Sequence, residues 1–113
     1  MESLNLHEYQ EFVRESCRQR GPCLAKRNDM AVYGAVLELV AETGEVTEVL
    51  QKASRKREGW LNSFDEAALK DEIGDVLWAA VAVCNALNYP LEQAMAANVT
   101  KLEARKQNAL DHA

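Results

Sequence analysis

The chain is short of the residues that interrupt helices. Among 113 residues there are 2 prolines and 5 glycines. Its β-branched residues are scattered, without the alternation of a half-buried strand. That argues against a sheet and leaves helices throughout. Cysteine is scarce and odd in number, at 3, with no Cys-x-x-Cys pair. A disulfide framework is therefore not expected; free thiols in a reducing cytoplasm are. Neither His7 nor His112 lies near a cysteine pair, which argues against zinc. Basic residues are outnumbered, 13 Lys and Arg against 18 Asp and Glu, for a net charge of −5. No broad nucleic-acid or anionic-membrane surface is expected from that balance. No apolar run reaches the ~18 residues of a membrane span. Met1-Glu2-Ser3-Leu4-Asn5 lacks the basic and apolar regions of a secretory leader, so none is expected. The length suits one domain, 1–113.

What the chain does have is two short acidic turns inside apolar runs. One is Glu42-Thr43-Gly44-Glu45, with Glu38 one turn upstream; the other is Glu72-Ile73-Gly74-Asp75. On a helix, carboxylates three apart share a face, with Cβ atoms about 5–6 Å apart. If both faces turn inward, four carboxylates meet. A like-charge pair at ~4 Å with an effective dielectric of ~20 costs roughly 4 kcal/mol. A cation must offset that, or some acids must hold protons. One Glu-x-x-Glu ordinarily marks a solvated face. Two pairs, each beside an apolar stripe and each enclosing a glycine, favour a metal pocket. Oxygen-only ligands suit Mg²⁺, with Mn²⁺ as a substitute, and phosphate chemistry. A di-iron bundle would need Glu-x-x-His on two helices, and none is present. Gly44 and Gly74 are read as places where a neighbouring helix approaches closely.

Four helices are expected. The first runs from about Leu6 to Arg18, with Asn5 as N-cap and Glu8 at the capping-box position, and ends at Gly21-Pro22. A basic connector follows, with Arg18, Arg20, Lys26 and Arg27 as either a solvated loop or an anion-attracting rim. The second runs from about Met30 to Ser54, capped by Asp29. Glu38, Glu42, Glu45 and Lys52 share a face beside the Val36/Leu39/Val46/Leu50 stripe. Trp60, in the polar break to Ser63, either folds over the core edge or offers a flat ring to a nucleobase. Ser63-Phe64-Asp65-Glu66 reads as the capping box of a third helix reaching about Asn88. Its stretch Val76–Cys84 has no polar residue, so a subunit interface is expected to cover it; Cys84 reads as a small core residue. Pro90 is placed at the first position of a fourth helix that ends near Leu110. There Asn98, Lys101 and Arg105 share a face: a solvated one by pattern alone, a phosphate-holding one if the metal is present.

Those residues resemble the MazG-like, all-α nucleotide pyrophosphohydrolases. That family's Glu-x-x-Glu, gap, Glu-x-x-Asp matches Glu42/Glu45 and Glu72/Asp75, and Asn98-Val99-Thr100-Lys101-Leu102-Glu103-Ala104-Arg105 matches its Asn-x-x-Lys-Leu-x-x-Arg ending. The likeness runs from about Ala31 to Lys106; the first thirty residues carry little of it and are expected to cover the base pocket. The resemblance implies an all-α, four-to-five-helix bundle of the NTP pyrophosphatase type, assembled as a homo-oligomer, dimer or tetramer. It implies an enzyme cleaving a nucleoside triphosphate to the monophosphate and pyrophosphate. Glu42, Glu45, Glu72 and Asp75 would be its catalytic, Mg²⁺-holding residues. Lys52, Trp60, Asn98, Lys101 and Arg105 would meet the substrate. Some relatives have a second Glu directly before the first motif acid, where this chain has Ala41 and, one turn upstream, Glu38, so the resemblance leaves open whether Glu38 joins the metal shell. The alternative is a helical module that senses nucleotides or a protein partner without turnover.

Overall fold

The computed structural model describes residues 3–20 and 29–113. Four helices account for nearly all of them: α1 Leu6–Arg20, α2 Asp29–Arg57, α3 Ser63–Ala86 and α4 Leu91–Asp111. Among the described residues there is no strand. The expected all-helical class holds, and each expected helix is present with its ends displaced by a few residues.

The displaced ends have local causes. Asn5 caps α1 as expected, its Oδ1 accepting from Glu8 N–H at 2.8 Å. α2 runs past Ser54 to Arg57, where Arg55, Lys56 and Arg57 complement the negative end of the helix dipole. Glu58, at φ 54°, takes the left-handed position that stops it. The capping box of α3 is one residue earlier than Ser63. Asn62 is the N-cap, accepting from Asp65 N–H at 2.9 Å, and Asp65 accepts from Asn62 N–H at 3.0 Å. Asp65 is also held by the Arg57 guanidinium, which draws the box toward Asp65 and away from Glu66. At its other end α3 closes on Asn88, φ 55°. Asn88 N–H reaches the Asn85 carbonyl at 3.0 Å and Tyr89 N–H the Cys84 carbonyl at 2.8 Å, the paired bonds of a Schellman turn. Pro90 is the N-cap of α4, not its first helical residue.

α2 and α3 form a long antiparallel hairpin, α1 lies along α3, and α4 leans on α1 and the end of α3. Among the described residues, neither α1 nor α4 packs against α2. The core is thin. Val13, Val81 and Ala82 form its centre, with Tyr9, Cys17, Ala35, Trp78 and Leu91 packed against it. Fully burying a valine contributes only about 1.5–3 kcal/mol. Cys84 is half-buried rather than a full core residue.

A buried polar joint fixes α1 to the α3–α4 corner. Gln10 Nε2 donates to Asn85 Oδ1 and to the Tyr89 carbonyl, both at 3.0 Å. Gln10 Oε1 accepts from Leu91 N–H, the first amide of α4, at 2.9 Å. Asn85 Nδ2 donates back to the Gln10 carbonyl at 3.3 Å, and Arg14 reaches Asn85 Oδ1 at 3.2 Å. All four polar atoms of the two amide side chains are thereby used, as burial of both residues requires.

The glycine expectation is not met within the chain. A Cβ at Gly44 or Gly74 would meet nothing within 4 Å, so among the described residues no helix approaches closely at either. Gly44 lies on the outer side of α2, and nothing in the structure explains either glycine.

Candidate metal centre

The two acidic turns come together across the α2–α3 hairpin. Glu42, Glu45, Glu72 and Asp75 each offer a carboxylate oxygen, and those atoms all lie within 4.8 Å of one another. The cause is local and then tertiary. The i,i+3 spacing aligns each pair on its own helix, and antiparallel packing brings the pairs level.

The electrostatics are those of crowded anions. Glu42 Oε2 and Glu72 Oε2 are buried and have no hydrogen-bond partner. Burial first, then Glu45 and Asp75, raises the pKa of Glu42, and Glu38 adds to it. Glu72 is pushed up to about 7 by burial and then by Glu45, Asp75 and Asp71. Two ionised carboxylates have no donor between them, so their contact is favourable only through a shared proton or a cation. Partnerless buried oxygens and an all-carboxylate donor set fit a hard divalent ion. Glu38 lies outside the group of four, and its charge acts on that group through Glu42.

The remaining sequence-selected residues are placed elsewhere in the chain. Lys52 is exposed on α2, two turns beyond Glu45. Trp60 is 68% exposed at the hairpin tip, past the end of α2. From Glu45 to Arg57 alone is about 18 Å of helix at 1.5 Å per residue. Asn98, Lys101 and Arg105 are exposed on α4, which does not pack on α2. Within one chain the four acids are assembled, while Trp60 and the three α4 residues lie on other parts of the chain and Lys52 follows Glu45 along the same helix. Arg18 and Arg20 lie at the end of α1, and Lys26 and Arg27 lie outside the described residues.

Tyr9 was legible only as part of the α1 apolar stripe. Its hydroxyl pKa is raised, by burial and then by the charge of Asp75, so it lies within electrostatic reach of the acids. No sequence signal marks this, because the interaction joins residues 66 positions apart on different helices.

Comparison with known proteins agrees with the motif reading. Residues 34–110 match the MazG nucleotide pyrophosphohydrolase domain. The chain is also similar to the Gene 37 protein of Mycobacterium phage L5, 31% identical over 72 residues. That match covers 64% of this chain and 63% of the phage protein, whose name states no activity. A domain match over most of its length, with both acid pairs of the motif assembled inside it, establishes that the chain belongs to the MazG nucleotide pyrophosphohydrolase family.

Proposed function

We propose that the protein is a Mg²⁺-dependent nucleoside triphosphate pyrophosphohydrolase, cleaving an NTP or dNTP to the nucleoside monophosphate and pyrophosphate. The observation that carries this is the carboxylate quartet with two buried, partnerless oxygens, in a chain of this family. Glu42, Glu45, Glu72 and Asp75 would hold the ion, with Mn²⁺ as a substitute. Bound there, a divalent ion supplies charge neutralisation for phosphate oxygens and a more acidic water. Water adds to phosphorus, the anhydride bond between the α- and β-phosphates breaks, and pyrophosphate leaves. A carboxylate not consumed as a ligand takes the proton of the water.

Incubation with a nucleotide panel and Mg²⁺ tests this, with pyrophosphate as the expected product. Glu42→Gln and Asp75→Asn should each abolish its release. Orthophosphate instead, or activity indifferent to both substitutions, would refute it. A sensing module would show nucleotide-dependent stabilisation without product.

We further propose that the working form is a homo-oligomer. The accessible surface is 8590 Å², against about 6,200 Å² for a compact monomer of this mass. The radius of gyration is 17.5 Å, against about 13 Å. Much of the excess is apolar, including Tyr33, Leu37 and Val40 on α2, Ile73 and Leu77 on α3, and Val99 and Leu102 on α4. An excess of roughly 2,400 Å² exceeds what a standard interface buries. A second copy would also offer a route for Asn98, Lys101 and Arg105 to reach an acid quartet from outside its own chain.

A further inference from the structure

α2 is apolar on two opposite sides. One side, with Ala35, Leu39, Val46 and Ala53, is wholly or partly buried and belongs to the α2–α3 hairpin. The other carries Met30, Tyr33, Leu37 and Val40, which are 76%, 67%, 69% and 65% exposed. Gly44 and Thr47 continue that side and are also exposed. These six residues recur at alternating steps of 3 and 4 along the chain. On a helix all of them fall within ~60° of Gly44 around the axis, whereas Glu42 and Glu45 lie about 100–160° from it. The seam is therefore separate from the face that bears the acids.

An apolar repeat averaging 3.5 residues is the spacing by which two helices interlock along a common line. Among the described residues no helix of the chain takes that place. α2 packs on α3 alone, and a Cβ at Gly44 would meet nothing within 4 Å.

A second copy of the seam fits it. With a two-fold axis between Leu37 and Val40 and the helices antiparallel, Leu37 meets the partner's Val40, Tyr33 meets the partner's Gly44, and Met30 meets the partner's Thr47. By symmetry each pairing occurs twice. The bulkiest side chain of the seam thus falls opposite the residue that has none. None of the six is Asp, Glu, Lys or Arg, so a chain of net charge −5 brings no like charges into line there. The surplus surface of 8590 Å² over a compact monomer exceeds a standard interface, which favours a copy of the whole chain over a short peptide as the occupant.

We propose that this seam joins two copies of the chain, α2 antiparallel to α2, with each Tyr33 ring seated over the partner's Gly44. This rests on the homo-oligomer reading and adds to it a face and a register. It also gives Gly44 a purpose that its own chain does not, since any larger residue would occupy the space of the ring.

Sedimentation equilibrium of the full chain tests the pairing. Leucine is a better helix former than glycine, and nothing in its own chain stands over position 44, so Gly44→Leu should fold. Its self-association should weaken roughly 5- to 150-fold per layer, the range of overpacking. Adding Tyr33→Ala, which vacates the space, should recover most of the lost affinity. Independently of that pair, Leu37→Glu and Val40→Lys should each lower the assembled mass alone. An equimolar mixture of the two should restore it, because one central layer then joins opposite charges while the other stays apolar. Self-association unmoved by Gly44→Leu would overturn the proposal and leave the homo-oligomer reading standing. Failure of either recovery would overturn the pairing. A monomeric wild type would remove the homo-oligomer reading and the proposal together.

Discussion

Glu72 is the most strained titrating residue of the centre. Its ordinary value is 4.5 and it sits at about 7, so the folded state holds a proton that the unfolded chain has released. Linkage then sets the sign: this group makes the metal-free protein less stable as pH rises from about 4.5 to about 7. Glu42 acts in the same direction. Asp65 acts oppositely. The Asn62 backbone N–H, and after it Arg57, hold its pKa below 3.8 against the effect of burial. It therefore stabilises the fold above that pH, and the contribution is lost as pH falls through its lowered value. We expect the metal-free melting temperature to fall between pH 5 and 8 and Mg²⁺ to reverse the fall, with the larger metal effect at pH 8. Glu72→Gln should flatten the metal-free profile and abolish the Mg²⁺ response in the same thermal scans. A Mg²⁺ response that survives in Glu72→Gln would remove that residue from the ligand set.

At the scale of the element, α1 is secured by polar rather than apolar contacts. Asn85 is buried and serves Gln10 and Arg14 at once, and Gln10 in turn caps the first amide of α4. Asn85→Ala should cost about 1–3 kcal/mol, because Gln10 and Arg14 are left with unmet donors in a buried site. A fall in the urea midpoint without a change in slope would register it; an unchanged midpoint would show the joint to be dispensable. Helix existence was legible in the sequence because periodicity and caps are local. The register of the caps was less so. Asn62 and Ser63 are both good N-caps, and the choice between them was made by Arg57, which reaches Asp65 across the turn. Gly44 and Gly74 were not legible because a glycine's meaning depends on what stands opposite, and among the described residues of the chain nothing does.

At the scale of the molecule, a thin core and a large exposed apolar surface point to self-association. Leu37 is 69% and Leu77 50% exposed, more than isolated surface leucines require. Sedimentation should show wild-type protein as a dimer or larger, and Leu37→Glu or Leu77→Glu should shift it toward monomer. A monomeric wild type at micromolar concentration would refute the oligomer. Among the described residues no helix is long and apolar enough to cross a membrane, so this surface is not that of a membrane span.

The acid quartet was readable from the sequence because two i,i+3 pairs carry their own geometry, and they lie at similar distances from the short turn between Arg57 and Ser63, so an antiparallel hairpin closed there brings them level. The helical class was readable for the same reason: caps, spacing and the scarcity of glycine and proline act over a few residues. What only the tertiary structure decided is what lies around the acids. The packing of α1 on α3 sets Tyr9 near Asp75, and the absence of contact between α4 and α2 keeps Lys101 and Arg105 away from the quartet of their own chain. Such placements depend on the angle at which one helix meets another, which is set by side chains far apart in the chain.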